Sequence, residues 1–191
     1  RAFYLEDGGC AGGRSLHELA RRAERAGADA REAAAGFLGA AAPEEVVFTS
    51  GATAALNLVA GAFPLPPGRS EVLLTDLEHN SAYLPFYERS RRDRSRLRVL
   101  PTAGGRLEAA VLRRALSRRT CLVVLPHASN VYGGVQPLAE AVALAHDAGA
   151  LVLVDDAQYV QSHREDVQES GVDFALFSAH KLGGPFGVGV L

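Results

Sequence analysis

The sequence predicts an α/β domain built on a mostly parallel β-sheet flanked by helices. Short apolar runs alternate with segments of helical periodicity along the 191 residues, which is the pattern of repeated βαβ units. Several of these runs are apolar at every position, as expected for strands buried on both faces of a sheet. Ligands bind beyond the carboxyl ends of the strands in such sheets, so functional residues should follow directly after the runs.

The first predicted element is a helix, and the strands come after it. Ser15 and Glu18 have the spacing of a capping box, which predicts a helix that starts there and runs to about Gly39. The apolar runs beyond it are too short for helices and are predicted to be strands. They are Val46–Thr49, Val72–Thr75, Leu97–Leu100, Cys121–Leu125, Leu151–Val154, Phe174–Phe177 and Val188–Leu191.

Helical segments fill several gaps between these strands. Apolar spacing predicts helices at Leu107–Leu116 and Leu138–Ala148, and a further helical run follows the turn Thr49–Thr53. Pro64–Gly68 is predicted to be a loop. Helices between successive strands favour parallel pairing, because parallel strands need a crossover connection.

The composition argues against several classes of protein. A net charge of −2 does not suit a general nucleic-acid or membrane-surface binder, and no apolar run approaches the roughly 20 residues that span a bilayer. Two cysteines are too few for a disulfide framework or a cysteine metal cluster, which fits a reducing compartment. Cytoplasmic location is the default expectation, with an organelle as the alternative because the N-terminus looks incomplete, and we expect no metal site.

One basic cluster, Arg89–Arg98, invites a nucleic-acid interpretation. No aromatic residues lie between its arginines to stack on bases. We therefore expect this cluster to be a solvated helix end.

The two ends of the chain suggest part of a longer protein. No methionine occurs in the sequence, and the chain ends on the apolar run GVGVL. We expect further sequence in the complete protein.

Lys181 is the one lysine among 20 basic residues, and it lies between Ser178 and a glycine-rich run. Arginine replaces lysine on a solvated surface, but not where an amine must lose its proton and attack a carbonyl. Lysine forms Schiff bases with carbonyl compounds. A surface lysine is the alternative interpretation, and the unique occurrence of Lys181 among apolar and glycine residues weakens it.

Polar residues follow four of the predicted strands. The turn Thr49–Thr53 feeds a helix N-terminus, where backbone N–H groups can bind a phosphate. His79 follows the second strand, and Asp155 ends the buried fifth strand, where a carboxylate needs a cationic partner. His127 and Asn130 follow the fourth strand. Ordinary turns and helix caps explain each residue taken alone.

Taken together, these residues suit pyridoxal phosphate. That cofactor needs a phosphate cradle, an aromatic plate over its ring, an acid beside its ring nitrogen and a lysine for its aldehyde. Dinucleotide-binding, P-loop, serine-hydrolase and zinc-protease motifs do not occur in the sequence.

The order and the residue sequences of these motifs resemble those of a known family. The chain is similar to the large domain of class V aminotransferase-fold enzymes, which have the type I fold of pyridoxal-phosphate-dependent transferases, and specifically to cysteine desulfurases and selenocysteine lyases. It has some likeness to molybdenum cofactor sulfurases. The matching stretches, which run from residue 4 to 191, are YLEDGG, VVFTSGATAALNLVA, EHNSAYLPF, HASNVYGGVQPL, VLVDDAQ and DFALFSAHKLGGPFGVGVL.

The resemblance implies a role for each site residue. Lys181 would form the Schiff base with the cofactor and move protons, and His79 would stack on the pyridine ring as the second catalytic residue. Asp155 would pair with the ring nitrogen, and Gln158 and Asn130 would bond the ring hydroxyl region. The cofactor phosphate would be bound by Ala52, Thr53, Ser178 and His180.

The resemblance also implies what the whole enzyme does. L-cysteine would be converted to L-alanine, with the sulfur left as an enzyme-bound persulfide, in a homodimer that serves a sulfur-acceptor protein. Another class V reaction, such as transamination, epimerisation or a lyase reaction, is the first alternative. A fragment that only binds a partner is the second.

The sequence departs from the family pattern in several places. Asp156 stands where the family has Gly or Ala, Ala179 where it often has Gly, and Ala54 where it has Glu. The family's persulfide cysteine and its substrate-carboxylate arginine would both fall beyond Leu191, as would the small C-terminal domain. The chain would therefore be an incomplete cofactor domain, with an N-terminal segment 1–40 and a core 41–191. Cys10 does not match the nucleophile, and we expect Cys121 to be a structural residue.

Overall fold

The computed structural model describes residues 17–93 and 95–191, and the chain divides into two compact units between Val46 and Val47. The predicted motif YLEDGG, Cys10 and Ser15 lie outside the described residues. The division of the chain into a segment 1–40 and a cofactor-binding core 41–191 stays a prediction.

The first unit contains helix α1 (Glu18–Leu38) and a 3-10 helix (Pro43–Glu45). His17 caps α1, because its Nδ1 accepts a hydrogen bond from the Ala20 N–H at 3.2 Å. The helix therefore begins later than the predicted capping box at Ser15. It ends as predicted at Gly39, which adopts the left-handed conformation that favours glycine.

The second unit alternates strands and helices. Its strands are β1 (Phe48–Thr49), β2 (Glu71–Thr75), β3 (Arg96–Leu100), β4 (Thr120–Pro126), β5 (Leu151–Asp155), β6 (Phe174–Ser178) and β7 (Gly189–Val190). Its helices are α2 (Ala52–Ala62), α3 (Asn80–Asp93), α4 (Ala109–Ala115), α5 (Leu138–Asp147) and α6 (Val167–Ser170), with 3-10 helices at Tyr159–Gln161 and Ala179–Leu182. None of the helices in the described parts of the chain is long and apolar enough to cross a membrane.

The seven strands form one sheet in the order β1-β7-β6-β5-β4-β2-β3. Strands β3, β2, β4, β5 and β6 pair in parallel, and only the pairs made by β7 are antiparallel. The prediction of a mostly parallel sheet flanked by helices is confirmed. Strand β1 is shorter than predicted, because Val46 closes the preceding 3-10 helix instead of entering the sheet.

Side chains of the central strands alternate between two apolar cores, one on each face of the sheet. Leu153 packs on the face covered by α2 and α3, whereas Val152 and Val154 pack on the face covered by α4 and α5. In β4, Val124 and Leu125 divide between the two faces in the same way. Both faces are fully buried, which explains why these strands are apolar at every position.

The basic cluster Arg89–Arg98 differs from the predicted solvated helix end. It spans the end of α3 and the first three residues of β3, which end at Arg98. Arg89 is only 9% exposed, and it donates hydrogen bonds to the Ala60 carbonyl at 2.9 Å and to Asp93 at 2.8 Å. One residue of the cluster, Arg89, therefore links α3 to α2 by a hydrogen bond.

Replacing Arg89 should destabilise the fold. Arg89→Ala leaves the Ala60 carbonyl without its charged donor, so the free energy of unfolding should fall by about 1.5–3 kcal/mol. Arg91→Ala is the matched control, because the Arg91 side chain is 66% exposed, and it should change stability by no more than about 0.5 kcal/mol. Urea denaturation followed by circular dichroism measures both, and equal losses in the two variants would contradict the structural role of Arg89.

Candidate active site

A cleft of about 250 Å³ lies at the carboxyl-terminal edge of the parallel strands. All of the sequence-predicted cofactor residues line it, although they come from five separate segments of the chain. These residues are Ala52, Thr53, His79, Asn130, Asp155, Gln158, Ser178, His180 and Lys181. The structure thus brings the whole predicted set together, as the rule for parallel sheets requires.

The N-terminus of helix α2 forms one wall of the cleft. Gly51 precedes the helix with a φ of 143° and has no side chain to cap it. The hydroxyl of Ser178, at the end of β6, accepts a hydrogen bond from the Ala52 N–H at 2.8 Å. The first turn therefore presents the positive end of the helix dipole and the Thr53 residue to the cleft, with the Ser178 hydroxyl beside them, which together suit an anion.

Asp155 ends the buried strand β5 inside this cleft. Burial raises the pKa of its carboxyl group, and the hydrogen bond from the Ala157 N–H and the electrostatic effects of His79 and Lys181 act in the opposite direction. Its Oδ1 accepts a hydrogen bond from the Ala157 N–H at 3.0 Å, which fixes the orientation of the carboxylate. A cationic partner in the cleft would stabilise the ionised form of this residue.

His79 and Lys181 face the cleft from two different loops. The His79 ring accepts a hydrogen bond from the Ser81 N–H at Nδ1, at 3.2 Å, so the proton of the neutral ring lies on Nε2. Lys181 lies in the 3-10 helix that directly follows β6, and Gly183 closes that helix in the left-handed conformation. The predicted plate and the predicted amine therefore share one cleft with the carboxylate.

Glu78 is a buried acid near this cleft that sequence reasoning missed. Its Oε1 accepts a hydrogen bond from the Thr75 hydroxyl at 2.9 Å, whereas no hydrogen bond reaches its buried Oε2 from residues 17–93 or 95–191. Burial, with a smaller contribution from Asp155, raises its pKa well above the usual value. Its position directly before His79 was the available signal, but an acid at that position is also common in a helix-capping turn.

Asp156, the unusual residue beside Asp155, does not line the cleft. Successive residues at the end of β5 point to opposite faces of the sheet, so Asp156 lies on the face covered by α5 and α6. There its Oδ1 lies 2.7 Å from Nδ1 of His127, and Glu165 Oε2 lies 2.9 Å from the same nitrogen. His127, singled out in the sequence as a polar strand end, therefore belongs to this second cluster.

The second cluster has strongly perturbed acids and bases. Burial opposes protonation of His127, but the hydrogen bonds to Asp156 and Glu165 outweigh burial and raise its pKa to about 9. Burial also raises the pKa of Asp156. For Glu165 the effect of burial is outweighed by the hydrogen bond to His127, and its pKa is lowered.

Cys121 is buried in β4 and lies away from the cleft, as predicted for a structural residue. It is 3% exposed, its thiol donates to the Glu71 carbonyl at 3.4 Å, and burial raises its pKa. It is the only cysteine among the described residues. The described part of the chain thus supplies no thiol to the cleft.

A family model for aminotransferase class-V matches residues 2–191. The chain belongs to the class-V aminotransferase family. The type I transferase fold expected from the sequence motifs is the fold of this family's solved members, and the prediction of the family is confirmed.

Relatives in this family are cysteine desulfurases. The chain is 42% identical over 195 residues to a cysteine desulfurase of Dickeya dadantii, which covers all of this chain and 47% of that protein. It superimposes on the structure of the Escherichia coli cysteine desulfurase CsdA, described as an S-sulfonic acid form, with a TM-score of 0.85, 33% identity and coverage of 98% of this chain and 47% of that chain. It also superimposes on the apo structure of the cysteine desulfurase of Thermococcus onnurineus NA1, with a TM-score of 0.87 and 30% identity. That match covers 99% of this chain and 47% of the other chain. The chain therefore spans about half the length of these relatives.

The positive φ of Gly51 gives a prediction about the anion-binding wall. Gly51→Ala forces an L side chain into a backbone conformation that is essentially restricted to glycine, so the free energy of unfolding should fall by about 1–3 kcal/mol. Gly61→Ala, in the same helix and with no atom within 4 Å of the added methyl group, should instead raise it by about 0.5–1 kcal/mol. Chemical denaturation of both variants measures the difference, and the same sign in both would contradict this account of Gly51.

Proposed function

We propose that the chain is the cofactor-binding part of a pyridoxal-phosphate-dependent cysteine desulfurase, which converts L-cysteine to L-alanine and retains the sulfur as a protein persulfide. The single observation that carries this proposal is the convergence of the lysine, the buried strand-end carboxylate and the helix N-terminus in one cleft. The identity to cysteine desulfurases over the whole chain supports the choice of reaction.

The donor set of the cleft fits pyridoxal phosphate at three separate points. The α2 N-terminus places Ala52 and Thr53 at the cleft, and the Ser178 hydroxyl, which accepts the Ala52 N–H, can donate its own proton to an anion there. Asp155 supplies a buried carboxylate whose raised pKa indicates that it needs a cationic partner, and a protonated ring nitrogen would be one. Lys181 supplies the one side chain in the cleft that can bond covalently to an aldehyde.

Pyridoxal phosphate, when bound, supplies an electron sink that stabilises negative charge at the substrate Cα. Lys181 would hold the cofactor by its aldehyde carbon and, once displaced by the substrate amine, would move the proton at the substrate Cα through its Nζ. Asp155 would keep the ring nitrogen protonated, and His79 would lie against the ring. The remaining polar residues of the cleft, Asn130, Gln158 and His180, would orient the ring substituents and the phosphate.

The step that takes the sulfur is not assigned to any residue that the structure describes. Cys121 is buried in the sheet, and no cysteine or arginine is among the described residues that line the cleft. We therefore propose that the attacking thiolate and the group that binds the substrate carboxylate belong to another part of the complete protein or to a partner subunit. Assembly as a homodimer, transfer to a sulfur-acceptor protein and a cytoplasmic location belong to this proposal.

Covalent trapping tests the role of Lys181. Incubation of the chain with pyridoxal phosphate and then with borohydride should place one pyridoxyl group on the peptide that contains Lys181, as measured by mass spectrometry. Lys181→Arg keeps the positive charge but cannot bond to an aldehyde, so it should lose this label completely. Because Lys181 is the one lysine in the chain, no other side-chain amine competes for the label.

Turnover tests the choice of reaction. The protein in its natural length should release L-alanine from L-cysteine, and Lys181→Arg should abolish the release. Labelling of Lys181 without alanine formation would support the cofactor site but contradict the desulfurase reaction, and it would favour another class V reaction. Labelling that is equal in Lys181→Arg would overturn the cofactor site itself.

A further inference from the structure

The second cluster, formed by His127, Asp156 and Glu165, brings three metal-binding groups together on the face of the sheet away from the cleft. One ligand atom from each residue lies within 4.8 Å of the other two. The closest separations are 2.7 Å from His127 Nδ1 to Asp156 Oδ1 and 2.9 Å from the same nitrogen to Glu165 Oε2. No short motif predicts this group, because its members come from the end of β4, the end of β5 and the loop before α6.

Burial makes this arrangement costly without a further cation. The exposed fractions are 6% for His127, 0% for Asp156 and 2% for Glu165. Two carboxylates and one imidazole carry a charge of −2, or −1 when the ring is protonated, and an uncompensated buried charge is expensive. A divalent cation would bring the charge of the three side chains to zero.

The hydrogen bonds of the cluster are incomplete. One ring nitrogen carries at most one proton, yet His127 Nδ1 faces two carboxylate oxygens at hydrogen-bond distance. The second oxygen of Asp156, Oδ2, is buried and receives no hydrogen bond from the described residues. A fully buried carboxylate with one oxygen unsatisfied is an independent observation that a bound cation would account for.

The geometry is close to that of a metal centre. Metal–ligand distances of about 2.0–2.2 Å to nitrogen and oxygen put the ligands of a tetrahedral site about 3.4 Å apart. The observed separations of 2.7 and 2.9 Å therefore need to open by about 0.5–0.7 Å. One nitrogen and two carboxylate oxygens suit a divalent transition metal better than Ca²⁺ or Mg²⁺, which prefer oxygen alone.

The surroundings hold the imidazole in place and give access to it. The Tyr159 ring stacks on His127 with centroids 3.5 Å apart, and His163 stacks on Tyr159 at 4.6 Å. A cavity of about 400 Å³ reaches His127 and Glu165, and Asp166 and Glu169 also line it. Arg164 is the one arginine among the lining residues. The carboxylates of this cavity would attract a cation towards the ligands.

We propose that His127, Asp156 and Glu165 bind one divalent transition-metal ion, with water completing the coordination. The ion would join the end of β4 to the segment from Asp156 to Glu165, which also contains the cleft residue Gln158. This site is structural, and it does not depend on the proposed desulfurase reaction.

Zinc binding tests the site directly. The 191-residue chain, freed of metal with a chelator and carrying Cys10→Ser to remove a competing thiol, is titrated with Zn²⁺ by calorimetry and against a chromophoric chelator. One equivalent should bind, with displacement of protons from the ligands, and the melting temperature should rise with Zn²⁺ concentration. Asp156→Asn and Glu165→Gln should each weaken binding at least about 10-fold.

His146→Gln is the matched control, because His146 pairs with Asp173 at 2.9 Å in a partly exposed histidine–carboxylate pair elsewhere in the same unit. It should leave Zn²⁺ affinity unchanged. Circular dichroism checks that the variants fold. If they do not fold, the proposal is decided by whether Zn²⁺ raises the melting temperature of the chain that keeps His127, Asp156 and Glu165. No stoichiometric binding and no rise in melting temperature, or equal affinity in Asp156→Asn and His146→Gln, would overturn the proposal and leave the cluster as a protonated ion-pair network.

Discussion

The alternation of side chains along the central strands is the constraint on which both polar clusters depend. Leu153 and Val154 pack on opposite faces of the sheet, and the same alternation carries Asp155 into the cleft and Asp156 to the other face. In β4 it divides Pro126, which lines the cleft, from His127, which does not. A shift of one residue in either strand would exchange the two clusters, so the fully apolar cores that fix the strand register also fix the chemistry at the strand ends.

The sequence was most informative where one physical requirement acts over a short stretch. Buried parallel strands must be apolar at every position, and the central strand β4 was predicted on that basis, whereas runs such as the one at β3 were recognised as short apolar-rich segments between helices. The rule that ligands bind beyond strand ends, together with the family motifs, then predicted the cleft residues from Ala52 to Lys181 from the sequence alone. The roles given to them still rest on chemistry and resemblance. Asp156 was recognised as a departure from the family pattern, and the fold shows that it does not line the cleft.

Features that depend on distant contacts could not be predicted in this way. Glu165 gave no local signal, because its partner His127 is far away in the chain, directly after β4. Arg89 looked like one arginine in a solvated run, yet it ties α3 to a carbonyl of α2. Glu78 looked like part of a capping turn, and only the fold shows that one of its oxygens is buried without a partner. Burial of a polar group is set by tertiary packing, whereas strand periodicity is set locally.

Each face of the sheet thus ends in a buried carboxylate that needs positive charge, and the two faces meet this need differently. On the cleft side, His79 and Lys181 offset part of the burial of Asp155, and a protonated ring nitrogen would complete the pairing. On the other side, His127 serves both Asp156 and Glu165 through one nitrogen, which leaves Asp156 Oδ2 without a partner. Since Asp155 and Asp156 are consecutive, an ion that fixes Asp156 would also restrain the backbone that carries Asp155. The position of the Asp155 carboxylate would then depend on the ion bound at Asp156 as well as on its own hydrogen bond from the Ala157 N–H.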